Sequence, residues 1–197
     1  MTCGGKAILA LSSKVSLAKV ALCKTLSYRY NIPSLVIRRF YVTLIRPKLE
    51  YCSTAWCGAV TGDLRRLESL QVQVARAISR VRAPTEALCK ANLPTLCWRR
   101  REHCLTMLWK LAHGGGPPMF RDLLPLPAHS RSKRELPFGH SFEFPRSSTA
   151  RHLSSFLCCA IPIWNSLSRE LVASSSVLSF RSALRRHFVN DMFVYGL

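Results

Sequence analysis

Thr61-Gly-Asp-Leu-Arg-Arg-Leu-Glu-Ser-Leu-Gln-Val-Gln-Val-Ala-Arg-Ala-Ile-Ser-Arg-Val81 is the stretch whose reading decides the fold. From Asp63 on, Leu64, Leu67, Leu70, Val74, Ile78 and Val81 recur at intervals of three and four, while Arg65, Arg66, Gln73, Arg76 and Arg80 fall elsewhere. Apolar residues spaced in this way line one face of an α-helix, because each turn takes about 3.6 residues. Thr61 stands where an N-cap is wanted.

Working upstream, Leu11, Val15, Ala18, Leu22 and Leu26 follow the same spacing, which predicts a first helix from about Ala7 to Tyr30. Asn31 and Pro33 supply a stop and a restart, and a second helix is expected from Ser34 to about Arg46, interrupted by Pro47. Leu49 to Trp56 is apolar, but periodicity does not settle its conformation. Downstream, Pro84 and Pro94 bracket a short helical turn. Leu96, Cys97, Cys104, Leu105, Leu108 and Leu111 then form another stripe, ended by Gly114-Gly-Gly116-Pro-Pro118.

Between Pro117 and Thr149 no period persists, and a surface connector with one hairpin around Gly139 is expected. Helical patterning resumes at Ala150 to Cys159, Pro162 breaks it, and a short helix should run through Leu171. The final helix, capped from Ser174 to Ser176, sets Val177, Phe180, Leu184, Phe188 and Met192 on one face and Arg181, Arg185 and Arg186 on the other. The expected fold is therefore mainly α. A helical bundle spans 1–116, an irregular connector 117–148, and a C-terminal helical segment 149–197 packs on the first.

The 197 residues suffice for one moderate domain or two small ones, and 48% hydrophobic with 20% charged residues argues against wholesale disorder. Lys and Arg number 29 against 10 Asp and Glu, a balance of +19 that favours a polyanionic partner. Nine cysteines, an odd number with no secretory signal ahead of them, fit a reducing compartment better than a disulfide scaffold. The longest apolar run, Phe156 to Trp164, contains Pro162 and is less than half of the roughly 20 residues a membrane span needs. The reading is an intracellular protein, nuclear or cytoplasmic, without a membrane partner.

Nucleotidyl transfer by two metal ions requires clustered carboxylates. The only aspartates, Asp63, Asp122 and Asp191, are far apart, and no two acidic residues are adjacent. No catalytic residue, metal ligand or cofactor is therefore assigned. Cys52 with Cys57, Cys97 with Cys104 beside His103, and Cys158-Cys159 lack compact zinc-pair spacing and read as buried thiols. The glycine run at 114–116 has no Gly-Lys-Ser/Thr after it and reads as a linker.

Basic clusters carry more information: Arg38-Arg39, Arg65-Arg66, Arg99-Arg100-Arg101, Arg131-Ser-Lys133-Arg134 and Arg185-Arg186. Most fall on expected helices, where several guanidinium groups can meet one phosphate backbone and release its condensed counterions. Arg65, Arg66, Arg76, Arg99, Arg100, Arg101, Arg185 and Arg186 are the candidate phosphate contacts, positioning a nucleic acid without reading its sequence. Trp56, Trp98, Trp109 and Trp164 read as core anchors, with Trp98 the best candidate for stacking on a base.

The string Phe40-Tyr-Val-Thr-Leu-Ile-Arg-Pro-Lys-Leu-Glu-Tyr-Cys-Ser-Thr-Ala-Trp56 resembles the segment just after the palm of non-LTR retrotransposon reverse transcriptases of the LINE, Jockey-like and chicken-repeat-like kinds. The likeness continues in order through Leu67-Glu-Ser-Leu-Gln71, Ala75-Arg76 and Leu93-Pro-Thr-Leu-Cys-Trp-Arg-Arg100. It resumes at Ile163-Trp-Asn-Ser-Leu167 and Ser179-Phe-Arg-Ser-Ala-Leu184. It covers about residues 10 to 190. It implies a helical thumb and tail beside the primer–template, with upstream reverse-transcriptase domains as possible partners. The family's aromatic-x-Asp-Asp turn is absent, so the resemblance implies no polymerase activity for this chain. Two functions follow as expectations: a non-catalytic module that binds RNA or DNA without sequence specificity, or a purely structural remnant that packs on a palm domain or another protein.

Overall fold

A computed structural model describes residues 29–56, 61–116, 124–125, 141–146, 149–153 and 155–195. The expected first helix lies outside the described residues except for Arg29 and Tyr30, as do the hairpin around Gly139 and the cluster Arg131, Lys133 and Arg134. The fold is mainly α, with no sheet among the described residues. In chain order it comprises α1 (Ser34–Phe40), a π-helical turn (Tyr41–Ile45), α2 (Arg46–Glu50), a 3₁₀ turn (Ser53–Trp56), α3 (Thr61–Ser79), α4 (Pro84–Lys90) and α5 (Leu96–Ala112). These are followed by α6 (Ala150–Leu153), α7 (Phe156–Asn165), α8 (Arg169–Val172) and α9 (Val177–His187).

The described residues fall into two compact units. Those within Met1–Ser53, Ala59–Arg100 and Asn190–Leu197 make the first, and those within Thr54–Gly58 and Arg101–Val189 the second. The helical stretch expected over 1–116 thus contributes to both.

In the first unit Ile37, Tyr41, Ile45 and Leu49, four apart, form one buried row along α1, the π turn and α2. They share a core with Leu67, Val74 and Ala75 of α3 and Ala87 and Leu88 of α4. Pro47 does not end the second helix as expected: helical structure continues to Glu50. Proline lacks the N–H that an α-helix interior requires, but here it sits in the first turn of α2, where that N–H has no intrahelical partner. The π turn just before it resets the hydrogen-bond register, and the Thr43 hydroxyl donates to the Arg39 carbonyl at 2.8 Å.

Helices α4 and α5 both close on left-handed residues. After α4, Asn92 has φ 51°, with Asn92 N–H donating to Cys89 O at 2.9 Å and Leu93 N–H to Leu88 O at 3.0 Å. After α5, Gly114 has φ 76°, with Gly114 N–H donating to Leu111 O at 3.2 Å and Gly115 N–H to Lys110 O at 2.7 Å. Both are Schellman closures, which satisfy carbonyls left over at the helix end.

The second unit is built on aromatic side chains. Trp109 stacks on Phe180 with centroids 5.8 Å apart, and Trp164 lies 6.1 Å from both Phe180 and Phe142. The Trp109 indole N–H donates to Val172 O at 3.0 Å, so its polar atom is satisfied inside the core. Asn165 holds Phe142 through both backbone groups, accepting from its N–H at 3.0 Å and donating to its carbonyl at 2.9 Å. Contrary to the expectation from sequence, Pro162 does not break the helix, and α7 runs through it. Cys158, Ala160, Ile161 and Trp164 are buried on either side of this exposed proline, and their packing offsets the ~3 kcal/mol that an interior proline costs.

Phe180 is fully buried between two tryptophans. Phe180→Ala should lower the unfolding free energy by about 3–5 kcal/mol in urea titrations, combining the forfeited transfer energy with a cavity. An unshifted midpoint would contradict this account of the second core.

Candidate nucleic-acid interface

Helix α3 turns Leu67, Glu68, Gln71, Val72, Val74 and Ala75 inward. With 3.6 residues per turn, Arg65, Ser69, Gln73 and Arg76 then share the opposite face, and Arg80 follows just past the helix end. Arg65, Arg66, Arg76 and Arg80 are exposed. Arg66 lies 3.8 Å from Asp63 with its side chain 69% exposed, an ion pair too solvated to hold it. Arg76 Nε donates to the Arg82 carbonyl at 2.8 Å, which folds the end of the row back along residues 80–82. Arg80, just past the helix, has φ 58° and reaches Asn31 Oδ1 at 3.4 Å. Arg80 and Arg82 are not among the sequence candidates. The four-residue spacing of Arg76 and Arg80 is a signal for Arg80, less conspicuous than the adjacent arginine pairs.

Several other candidates are tied to internal partners. Arg99 makes a bidentate bridge to Glu50, Nε to Oε1 and Nη2 to Oε2 both at 2.8 Å, with each side chain only 12% exposed. Arg100 is half-buried, and its Nη1 is buried without a hydrogen-bond partner. In the second unit Arg185 Nε donates to Glu102 Oε1 at 2.8 Å, and Arg181 Nε to the same oxygen at 3.2 Å. The Glu102 side chain is fully buried. Arg101 is half-buried, and Arg186 is exposed. Arg38, part of another basic pair, donates from Nε to Ala91 O at 2.9 Å and from Nη2 to Asn92 O at 3.0 Å. Trp98 is 3% exposed and serves the core, so it offers no face to a base.

In the first unit Arg38 is joined by Gln71 and Glu68 on the segment from Ala91 to Cys97. Gln71 donates from Nε2 to Pro94 O at 2.8 Å and accepts the Tyr41 hydroxyl at 2.7 Å. Glu68 accepts Leu96 N–H at 3.0 Å and Cys97 N–H at 3.1 Å, which places a carboxylate on the first amides of α5. Thr95 accepts Trp98 N–H on its hydroxyl at 3.1 Å, and its own N–H donates to Met192 O at 2.8 Å. Burial pushes the Glu68 carboxyl above its usual range, against the lowering influence of the Leu96 amide, the Arg100 guanidinium and the Cys97 amide.

Glu50, Glu68 and Glu102 are three of only ten acidic residues in the chain, and all three are committed inside the units. Among the described residues no group of three or more His, Cys, Asp or Glu is placed to hold a metal ion. No described helix is long and apolar enough to cross a membrane. No protein-family model, curated protein or solved structure matches the chain.

Because the folded state raises the Glu68 proton affinity, the neutral carboxyl contributes stability below its ordinary value of 4.5, and this is lost as pH rises through the higher folded value. The stability of the native chain relative to Glu68→Gln should therefore fall as pH climbs through this acid range, measured by urea unfolding at a series of pH values. A difference that grows with pH would overturn this assignment.

Proposed function

We propose that this chain grips the phosphate backbone of nucleic acid without base specificity and without chemistry of its own, as a thumb-like helical module of the non-LTR reverse-transcriptase kind. The observation that carries the reading is the exposed row Arg65, Arg76 and Arg80 on and beside α3, on a chain of net charge +19. Arg65 and Arg76 are eleven residues apart, roughly 16 Å along a helix axis, a length matching about five phosphates of one strand at ~3.4 Å each. Gln73 between them adds a neutral donor suited to phosphate oxygens. The commitment of three carboxylates to internal contacts supports the same reading, because it removes anions that would otherwise dilute the outward positive potential.

A second reading, a structural module that packs on a palm domain or another protein, draws on the exposure of Leu35, Val36 and Leu44 along α1 and the π turn. The two part experimentally. For backbone binding, log K against log salt should be linear and steep. The double variant Arg65→Gln with Arg76→Gln should reduce the slope by about two, one unit for each guanidinium withdrawn from a phosphate. Affinity that ignores salt, or no affinity at low ionic strength, would refute backbone binding, and primer extension in magnesium buffer by the 197-residue chain would refute the absence of chemistry.

A further inference from the structure

The arginine row on α3 can hold phosphates but has no means of meeting a base, and single-strand binders combine such a basic track with an aromatic face on which unpaired bases stack. At the end of this row Arg80 reaches the residue that follows an exposed aromatic, Tyr30. Arg80 leaves α3 in a left-handed conformation, φ 58°, and its Nη2 reaches Asn31 Oδ1 at 3.4 Å. Asn31 is itself left-handed, φ 45°, and turns the chain immediately after Tyr30. Tyr30 is 66% exposed. Arg76 is bonded to the Arg82 carbonyl beside the same turn, and the Arg82 side chain is exposed. An exposed tyrosine is ordinary in isolation. What sets Tyr30 apart is that the next residue along the chain is tied to the last guanidinium of a phosphate-binding row.

Resting on the backbone-binding reading above, we infer that Tyr30 and Arg80 form a stacking site for an unpaired base, where a single-stranded extension leaves a duplex whose phosphates lie along α3. Bases inside a duplex are stacked on one another and cannot reach the ring. The first unpaired base beyond the duplex end can, with its own phosphate next to Arg80 and Arg82. The arginine of this site also supplies the cation that favours stacking on an electron-rich face.

The test titrates the full chain against a blunt RNA–DNA hybrid and against the same hybrid carrying a short single-stranded extension at low salt. The native protein should bind the extended form about tenfold more tightly, the range expected for stacking one base. Tyr30→Leu should lose that gain while keeping the affinity for the blunt hybrid, and Tyr30→Phe should retain it. Thermal melts of the variants should match that of the native chain, since the position is exposed. Equal binding of both probes by the native chain, or a gain that survives Tyr30→Leu, overturns the stacking site and leaves backbone binding standing. Failure to bind either probe overturns both.

Discussion

The first unit depends on the burial of an irregular piece of backbone. Between α4 and α5 the chain from Ala91 to Cys97 passes through a region where Ala91, Leu93, Thr95 and Leu96 are all buried. A buried peptide group without a partner is costly, on the order of 1–3 kcal/mol, and in the 92–95 stretch helix-end hydrogen bonds serve the Asn92 and Leu93 amides and the Thr95 carbonyl. The Met192 carbonyl takes the Thr95 amide, and side chains supply further partners: Arg38 on two carbonyls, Gln71 on a third, and Glu68 on two amides. Each is a polar residue on an otherwise apolar helical face, and each is fixed in place by the backbone group it satisfies. Arg99, at the start of α5, then ties back to Glu50 on α2.

This arrangement also shapes the exterior. A protein with 29 basic and 10 acidic side chains could scatter its few acids over the surface to temper the charge. Here Glu50, Glu68 and Glu102 instead satisfy arginines and amides within the units, and Arg65, Arg76 and Arg80 stay outward with little to neutralise them. Stability and surface potential thus come from one allocation of scarce carboxylates. The motifs on which the proposed thumb-like reading draws take part in it directly. Glu50, Glu68, Gln71 and Arg99 bond within or between those motifs, while Trp164, Phe180 and Leu184 fill the second core.

Much of the fold is legible in the sequence because it rests on local periodicity. The three- and four-residue spacing of α3 and the Phe180–Leu184 face of α9 need no distant partner, and the left-handed closure at Gly114 follows from the special freedom of glycine. Pro47 departs from expectation because the π turn before it sets it in the first turn of a new helical segment, and Pro162 because a rule about one residue is outweighed by the packing around it. The site is less legible for another reason. Whether an arginine faces water or a carboxylate depends on residues far along the chain, such as Glu50 for Arg99 and Glu102 for Arg185, 49 and 83 positions away. Adjacent arginines stand out in a sequence, but consecutive helical residues point about 100° apart, so spacing by three and four is the better guide to a shared face.

The most direct measurement is native-state amide hydrogen exchange at Leu96 and Cys97 in the full chain. Amides in the first turn of a helix ordinarily lack intramolecular partners and exchange readily. Held by the Glu68 carboxylate in a buried setting, these two should instead exchange as slowly as amides in the middle of α3. Exchange as fast as that of an exposed helix start would show that the buried segment is not held by its side-chain partners.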